Sequence, residues 1–318
     1  MLKACILFAV GLILLIFGGD WFVDAATGIA KRFHISELMI GATVVAIGTT
    51  LPEVMVSATG ALAGHPQIAY GNALGSIICN AALISGITIA FNPSTVDKKS
   101  LSLPVIFFFI AAAFYCFAAY GDAYFSRTEG IMLLCIFLLY IIFQTGKASS
   151  SKEETQEYTE GRPLWQQLLL LAAGAVAIAE GANLLVDNGT VIAKVLGVPE
   201  TVIALTFMAL GTSLPELVTA IASIRKGHDL LSLGNIIGAN LFNIVLVAGV
   251  SITLRPFAVP FDKALWGMNA SFIVDIPLVM TVMLILTVPP LLKGRLYRWQ
   301  GILLLLLYVA YSLFNFVI

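Results

Sequence analysis

Long apolar segments separated by short polar ones run along the whole chain. A helix needs about 20 predominantly apolar residues to cross the hydrocarbon core of a bilayer. The first and sixth segments are longer than that and should be tilted. This pattern predicts an all-α integral membrane protein with ten transmembrane helices, over residues 4–31, 37–64, 69–91, 101–120, 128–146, 164–195, 200–226, 230–254, 270–292 and 299–318.

Residues 147–163 form the one sizeable hydrophilic stretch and divide the chain into two related halves. Aligning 23–80 with 186–243 without a gap gives 21 identities in 58 positions, including GTTLPE against GTSLPE. Composition alone would match Leu and Val, so matched Gly, Pro, Glu and Asn indicate a duplication. We predict a first five-helix repeat at 1–146, a cytoplasmic linker at 147–163, and a second repeat at 164–318.

Because five is odd, the second repeat must enter the membrane from the opposite side. Inverted repeats of this kind are common in secondary transporters. With the N-terminus outside, twelve Lys and Arg residues fall on the cytoplasmic side and five outside, as the positive-inside rule requires. The sequence therefore predicts a multi-pass protein of a prokaryotic plasma (inner) membrane, with both termini outside.

Composition supports a membrane protein and narrows the partners. Hydrophobic residues make up 59% of the chain and charged residues 11%, against about 25% charged in soluble domains. The net charge of −1 gives no indication of a nucleic-acid partner. The four cysteines lie in apolar runs without CxxC spacing, which indicates small apolar filler and no zinc site.

The strongest chemical signal is a proline-containing motif inside the second and seventh predicted helices. Proline lacks an amide hydrogen and frees the carbonyl four residues before it, here that of Gly48 or Gly211. Two hydroxyl residues share a helix face with the glutamate that follows the proline. We predict that helices 2 and 7 are broken and offer hard oxygen donors from Thr49, Thr50 and Glu53, and from Thr212, Ser213 and Glu216.

A glutamate at the centre of a membrane helix costs about 3 kcal/mol or more. Two at matched depth would also repel each other, and a bound cation removes both penalties. The third and eighth helices add a polar stripe of Asn72, Ser76 and Asn80, matched by Asn235, Ala239 and Asn243, although any one Asn could equally serve helix packing. Oxygen ligands without Cys or His favour Ca²⁺, Na⁺ or Mg²⁺.

The paired GT[ST]LPE motifs, each followed by GNxxG[SA], closely resemble the two alpha-repeats of the sodium/calcium exchanger family, in its prokaryotic ten-helix branch. The resemblance covers essentially the whole chain. It implies exchange of several Na⁺ for one Ca²⁺ by alternating access, with helices 1 and 6 sliding across a cluster of helices 2, 3, 7 and 8. Carried over by motif position, the ion ligands would be Glu53, Glu216, Thr49, Thr50, Thr212, Ser213, Ala46, Ala209, Ser76, Asn80 and Asn243.

Two positions depart from the family's pattern. Relatives often have serine in place of Ala239, which here removes a hydroxyl from a Na⁺ site, and some have aspartate in place of Asn243. Both departures leave Ca²⁺ binding intact and bear on the number of Na⁺ ions. A proton-coupled or K⁺-dependent antiporter of the same fold is the alternative.

The remaining expectations concern competing functions. A channel would show no counter-ion dependence, and two broken helices in inverted repeats favour a carrier instead. An intramembrane enzyme would need a nucleophile with its base or a paired aspartate motif, and no histidine lies within a predicted span. We therefore expect neither a channel nor an enzyme. We expect no cofactor, no partner other than the transported Na⁺ and Ca²⁺ and the lipid bilayer, and function as a monomer. Polar residues on the two long helices are candidates for an access path or for contacts near Lys31 and Lys194; they are Asp20, Asp24, Glu180, Asn183 and Asp187.

Overall fold

A computed structural model of the protein describes residues 1–150, 162–196, 211–261 and 264–317. Within these ranges the chain forms ten helices and two short antiparallel strand pairs. The helices are α1 Leu2–Phe33, α2 Glu37–Ala63, α3 Pro66–Phe91, α4 Lys98–Asp122, α5 Arg127–Ser150, α6 Leu164–Val195, α7 Leu214–Arg225, α8 Asp229–Leu254, α9 Ser271–Lys293 and α10 Arg298–Val317. The strands are β1 Tyr124–Phe125, β2 Phe257–Ala258, β3 Ala264–Leu265 and β4 Met268–Asn269.

Eight of the described helices are long and apolar enough to cross a bilayer. The predicted fold class is confirmed: this is an all-helical membrane fold. The helices α1 and α6, of 32 residues each, are the longest in the described part of the chain, as their apolar runs predicted. Most of the predicted linker 147–163 lies outside the described residues.

Glycine contacts show how the two repeats are interlocked. A Cβ on Gly11 would lie 2.9 Å from the Gly181 carbonyl oxygen, and one on Gly174 would lie 2.9 Å from that of Gly18. The later position in α1, Gly18, contacts the earlier position in α6, Gly174, so these two helices are antiparallel. Small residues allow this backbone approach, which is typical of membrane helix packing.

The fifth helix of each repeat packs on the third helix of the other. On one side, a Cβ on Gly130 in α5 would lie 3.0 Å from the Gly249 carbonyl oxygen in α8. On the other, a Cβ on Gly301 in α10 would lie 2.7 Å from the Gly86 carbonyl oxygen in α3. Gly130 matches Gly301, and Gly86 matches Gly249, between the repeats. The two inverted repeats therefore exchange equivalent contacts.

Loops from both repeats meet at each end of the helix bundle. At one end, the His228 Nδ1 atom lies 2.7 Å from Glu37 Oε1 and Asn92 donates to Asp229. We call this end the Lys226 face, after the residue that closes α7. At the other end, Arg255 donates to the Leu62 carbonyl oxygen and β1 pairs with β2. We call this second end the Gly64 face, after the residue between α2 and α3.

Candidate ion-binding site

Glu53 and Glu216 come from opposite repeats and lie together in the protein interior. Both residues are 0% exposed. Their carboxylates are close enough to interact electrostatically, and neither carboxylate has a protein hydrogen-bond partner among the described residues. An unpaired buried carboxylate costs several kcal/mol, and two like charges cost more, so this pair is stabilised by whatever neutralises it, a bound cation or protons.

Neutral oxygens surround the carboxylate pair. Buried side-chain polar atoms without a protein partner number 21 in the described chain, and 11 of them belong to seven of the predicted ion ligands. Each such atom costs about 1–3 kcal/mol when nothing binds it, so their concentration here indicates one site. The seven residues are Thr50, Glu53, Ser76, Asn80, Ser213, Glu216 and Asn243.

The other predicted ligands occupy different environments. Thr49 lies beside the Glu216 carboxylate and contacts the carbonyl oxygen of the buried Ala46 at 3.4 Å. Thr212 lines the cavity described below. Ala209 lies outside the described residues. In the described part of the chain no three His, Cys, Asp or Glu side chains form a metal-binding group, so any ion here would be held by two carboxylates and by neutral oxygens.

The backbone of the two motifs differs in form. In the first repeat, helix Ala46–Ala63 continues through Pro52 and follows a π-helical turn at Gly41–Val45. In the second repeat, Thr212 and Ser213 form a turn, and the α-helix begins at Leu214. The predicted break in helix 2 is therefore a π turn and a proline within a continuous helix, because proline removes one hydrogen bond and need not end a helix.

The helices α3 and α8 each contain a π turn at matched positions of the two repeats. These turns span Cys79–Ile84 in α3 and Asn243–Ala248 in α8. They contain Asn80 and Asn243, the two repeat-matched amides of the site. A π turn widens the helix and often marks a functional position.

Two further asparagines hold the site together, and the prediction of ligands did not include them. The fully buried Asn235 on α8 accepts a hydrogen bond of 3.1 Å from the Thr49 hydroxyl. Asn72 on α3 donates to the Ser57 hydroxyl at 2.8 Å and to the Glu53 carbonyl oxygen at 3.2 Å. The polar stripe contained both residues, but its spacing could not separate ligands from residues that orient ligands.

The helix α8 packs against α2 with almost no space between the backbones. A Cβ on Gly238 would lie 2.7 Å from the Ala42 Cα atom and 2.8 Å from the Ala46 Cβ atom. A Cβ on Gly234 would collide with the Leu38 carbonyl group. This packing places Asn235 opposite Thr49 and fixes the second repeat against the first at the site.

A cavity of about 640 Å³ runs from the site toward the Gly64 face. At its inner end are Pro52, Ser76 and Thr212, and nearer the Gly64 face are Ile68 and Asn315. Asn183 and Asp187 are exposed and line this cavity, as expected for residues of an access path. Glu180 is also exposed but is not among the lining residues that the structure describes. Cys79 also lines the cavity, beside Ser213.

Comparison with known proteins agrees with this architecture. The family model of the sodium/calcium exchanger proteins matches residues 3–146 and 166–317. The chain is 36% identical over 324 residues to a putative antiporter, CaxA, of Alkalimonas amylolytica, covering 98% of both chains. It is 30% identical over 351 residues to the sodium/calcium exchanger MaX1 of Methanosarcina acetivorans, covering 97% of both.

A solved structure shows the same fold. The sodium-calcium exchanger NCX_Mj, soaked with Na⁺ and Sr²⁺, superposes with a TM-score of 0.78 at 33% identity, covering 97% of each chain. Together with the family match over nearly the whole sequence, this likeness makes the chain a member of the sodium/calcium exchanger protein family.

Proposed function

We propose that this protein is a secondary antiporter that exchanges Na⁺ for Ca²⁺ across the membrane by alternating access. One observation carries the proposal: two buried carboxylates from inverted repeats lie together without hydrogen-bond partners in the described part of the protein. The names of MaX1 and NCX_Mj support the choice of ions. The antiporter needs no cofactor and performs no chemical catalysis.

The ligand set suits these ions. Carboxylate, hydroxyl and amide oxygens are the donors that Ca²⁺ and other hard cations prefer. We assign the predicted residues as ligands, with Glu53 and Glu216 shared by both ions. Ala46 would contribute its carbonyl oxygen, and Ala209 would do the same from the other repeat.

Charge counting explains coupling. Two carboxylates are neutralised by one Ca²⁺, whereas three Na⁺ leave one net positive charge, so such a cycle would respond to membrane voltage. Without an ion, two negative charges remain in a low-dielectric site and oppose the conformational switch. The protein therefore changes its open side readily only when loaded, which enforces exchange.

The orientation and the division of the chain are part of the same proposal. Residues 1–146 and 164–318 would form the two repeats, with 147–163 cytoplasmic and both termini outside. The distribution of Lys and Arg supports this orientation, since most lie toward the Lys226 face. The cavity toward the Gly64 face would then open outside the cell, and the molecule would work as a monomer in an inner membrane.

The decisive test is ion flux in proteoliposomes loaded with Na⁺ and placed in ⁴⁵Ca²⁺. We expect uptake that requires the outward Na⁺ gradient, and a loss of at least about 100-fold with Glu53→Gln or Glu216→Gln, because losing one partner of a buried charge interaction costs about 3–5 kcal/mol.

Glu129→Gln is the matched control, because Glu129 bonds the Ser126 amide at the start of α5 and lies away from the site. Replacing the Na⁺ gradient by H⁺ or K⁺ gradients tests the alternative antiporters. Uptake that persists in both site variants would contradict the assignment.

A further inference from the structure

Lys226 joins α7 to α1 at the face opposite the cavity opening. Its ammonium nitrogen lies 2.6 Å from Asp24 Oδ1 and 3.7 Å from Asp20 Oδ1. It also donates a hydrogen bond of 3.0 Å to the Asp20 carbonyl oxygen. Lys226 caps the C-terminus of α7, where a cation is favoured by the helix dipole. One ammonium group thus donates to two acceptors on α1, the Asp24 carboxylate and the Asp20 carbonyl oxygen, and lies within ion-pair distance of the Asp20 carboxylate.

The contact continues along one face of α7. Val218, Ala222 and Lys226 follow each other at intervals of four residues and therefore share that face. A Cβ on Gly19 of α1 would lie 2.8 Å from Val218 Cγ1 and 3.5 Å from Ala222 Cβ. The helix α1 therefore covers α7 as far as the Lys226 face, and this side of the bundle is closed.

The equivalent contact in the other repeat is open. The positions that match Val218, Ala222 and Lys226 are Met55, Thr59 and Ala63 of α2, and all three are exposed, Met55 at 63%. Asp187, which matches Asp24, is exposed in the cavity. Both faces thus carry the repeat-matched aspartate, but the lysine position is Ala63 in the first repeat.

We propose that Lys226 is a positioning residue for the transport cycle, whose ion pair with α1 holds the Lys226 face closed and favours the state open at the Gly64 face. Opening the Lys226 face requires α1 to leave α7, and the ammonium must then release Asp20 and Asp24. Closing the Gly64 face brings Asp187 toward Ala63, which cannot form such a pair itself, and the Arg255 guanidinium at this face is already bonded to the Leu62 carbonyl oxygen. The inference rests on alternating access in the proposed function and does not depend on the identity of the ions.

The test measures how fast the cavity can be reached. Asn183→Cys places a thiol in the cavity of the full-length protein in proteoliposomes. A small membrane-impermeant maleimide is then added without an ion gradient, and modification of the introduced thiol is followed by peptide mass mapping. The labelling rate constant reports the fraction of molecules open at the Gly64 face. The number of molecules inserted with that face outside the liposome changes the final extent of labelling and not the rate constant.

We expect Lys226→Ala to slow labelling by about fivefold, the upper end for a partly exposed ion pair, and Lys226→Met to do the same. Lys226→Arg should restore the rate, as should the charge exchange Lys226→Glu with Asp24→Lys. Combining Lys226→Ala with Ala63→Lys should slow labelling further, because the new ammonium lies opposite Asp187.

Arg225→Ala is the matched control, because it removes an exposed cation at the Lys226 face from the position next to Lys226. Equal labelling rates in the native protein and both Lys226 variants would overturn the proposal, as would an Arg225→Ala effect as large as that of Lys226→Ala. If labelling shifts as expected in a protein that moves neither Na⁺ nor Ca²⁺, the proposed function fails and the role of Lys226 stands.

Discussion

The two copies of the motif differ at one position in sequence, Thr50 against Ser213, but clearly in local structure. Glu53 lies in the middle of the helix Ala46–Ala63, whereas Glu216 lies in the first turn of α7. Ser213 and Glu216 occupy the N-cap and third positions of that helix, the spacing of a capping box. Neither side chain makes the capping bonds, and their oxygens have no hydrogen-bond partner among the residues that the structure describes.

This difference shows what each copy contributes. In α7 the helix N-terminus provides a partial positive charge beside Glu216, and two side chains that could have capped the helix stay available to an ion. In α2 the carboxylate of Glu53 lies in the middle of its own helix, away from the N-terminal turn. Glu53 therefore depends more strongly on a bound cation, and the two glutamates are chemically distinct members of one site.

The largest expected effect lies at a glycine by which the second copy packs on the first. Gly238→Ala places a methyl group 2.7 Å from the Ala42 Cα atom. Overpacking costs about 1–3 kcal/mol, so Gly238→Ala should lower the thermal midpoint by roughly 2–6 °C. Gly121→Ala is the control, because Gly121 is exposed on α4 and a Cβ there meets no described atom within 4 Å; it should change the midpoint little. Scanning fluorimetry in detergent measures both, and equal midpoints would contradict the tight packing at Gly238.

A second, smaller contrast concerns Asn235 and its counterpart Asn72. Asn235→Ala removes the acceptor of the Thr49 hydroxyl, which lies beside Glu216, and leaves that hydroxyl unsatisfied in the interior. We expect the apparent Ca²⁺ affinity in flux assays to fall about tenfold, as for other residues that orient ligands. Asn235→Asp keeps an acceptor for Thr49 and should restore part of the affinity.

Asn72→Ala is the comparison variant for Asn235→Ala. Its amide bonds Ser57 and the Glu53 main chain rather than a ligand side chain. We therefore expect a smaller loss of affinity. An Asn72 effect that equals or exceeds the Asn235 effect would show that the first repeat, and not α8, orients the site.

The repeat explains why so much of this protein could be predicted from sequence. The apolar runs predicted the spans, the matched Gly, Pro and Glu positions predicted the duplication and the two central glutamates, and the odd number of spans predicted the inversion. The break at Thr212 was predicted, but the continuous helix through Pro52 was not, because two nearly identical motifs carry no information about how their local structures differ. The contacts of Lys226 with Asp20 and Asp24 could not be predicted either, because they depend on which face of the bundle is closed. Asn235 was ambiguous because an amide in a membrane helix can bind an ion or another side chain with equal ease.

The smallest expected effect concerns Ala239, which matches Ser76 of the first repeat. Ser76 has a buried hydroxyl without a hydrogen-bond partner in the described ranges, and Ala239 is 0% exposed at the equivalent position. Ala239→Ser adds one neutral oxygen to the α8 side. We expect a change of about two- to fivefold in the Na⁺ concentration that half-saturates Ca²⁺ release, because one net hydrogen-bond-like contact contributes about 0.5–1.5 kcal/mol.

Ser76→Ala is the reciprocal variant and should weaken the Na⁺ dependence. If both hydroxyl positions serve Na⁺, the double variant Ser76→Ala with Ala239→Ser should recover part of the native Na⁺ dependence, since one oxygen has moved from one repeat to the other. Ca²⁺ affinity should change less than Na⁺ affinity in all three variants, because the two carboxylates dominate the binding of a divalent ion. A larger change in Ca²⁺ affinity than in Na⁺ affinity would show that these hydroxyls bind Ca²⁺, and it would contradict a Na⁺-specific role for the Ser76 and Ala239 positions.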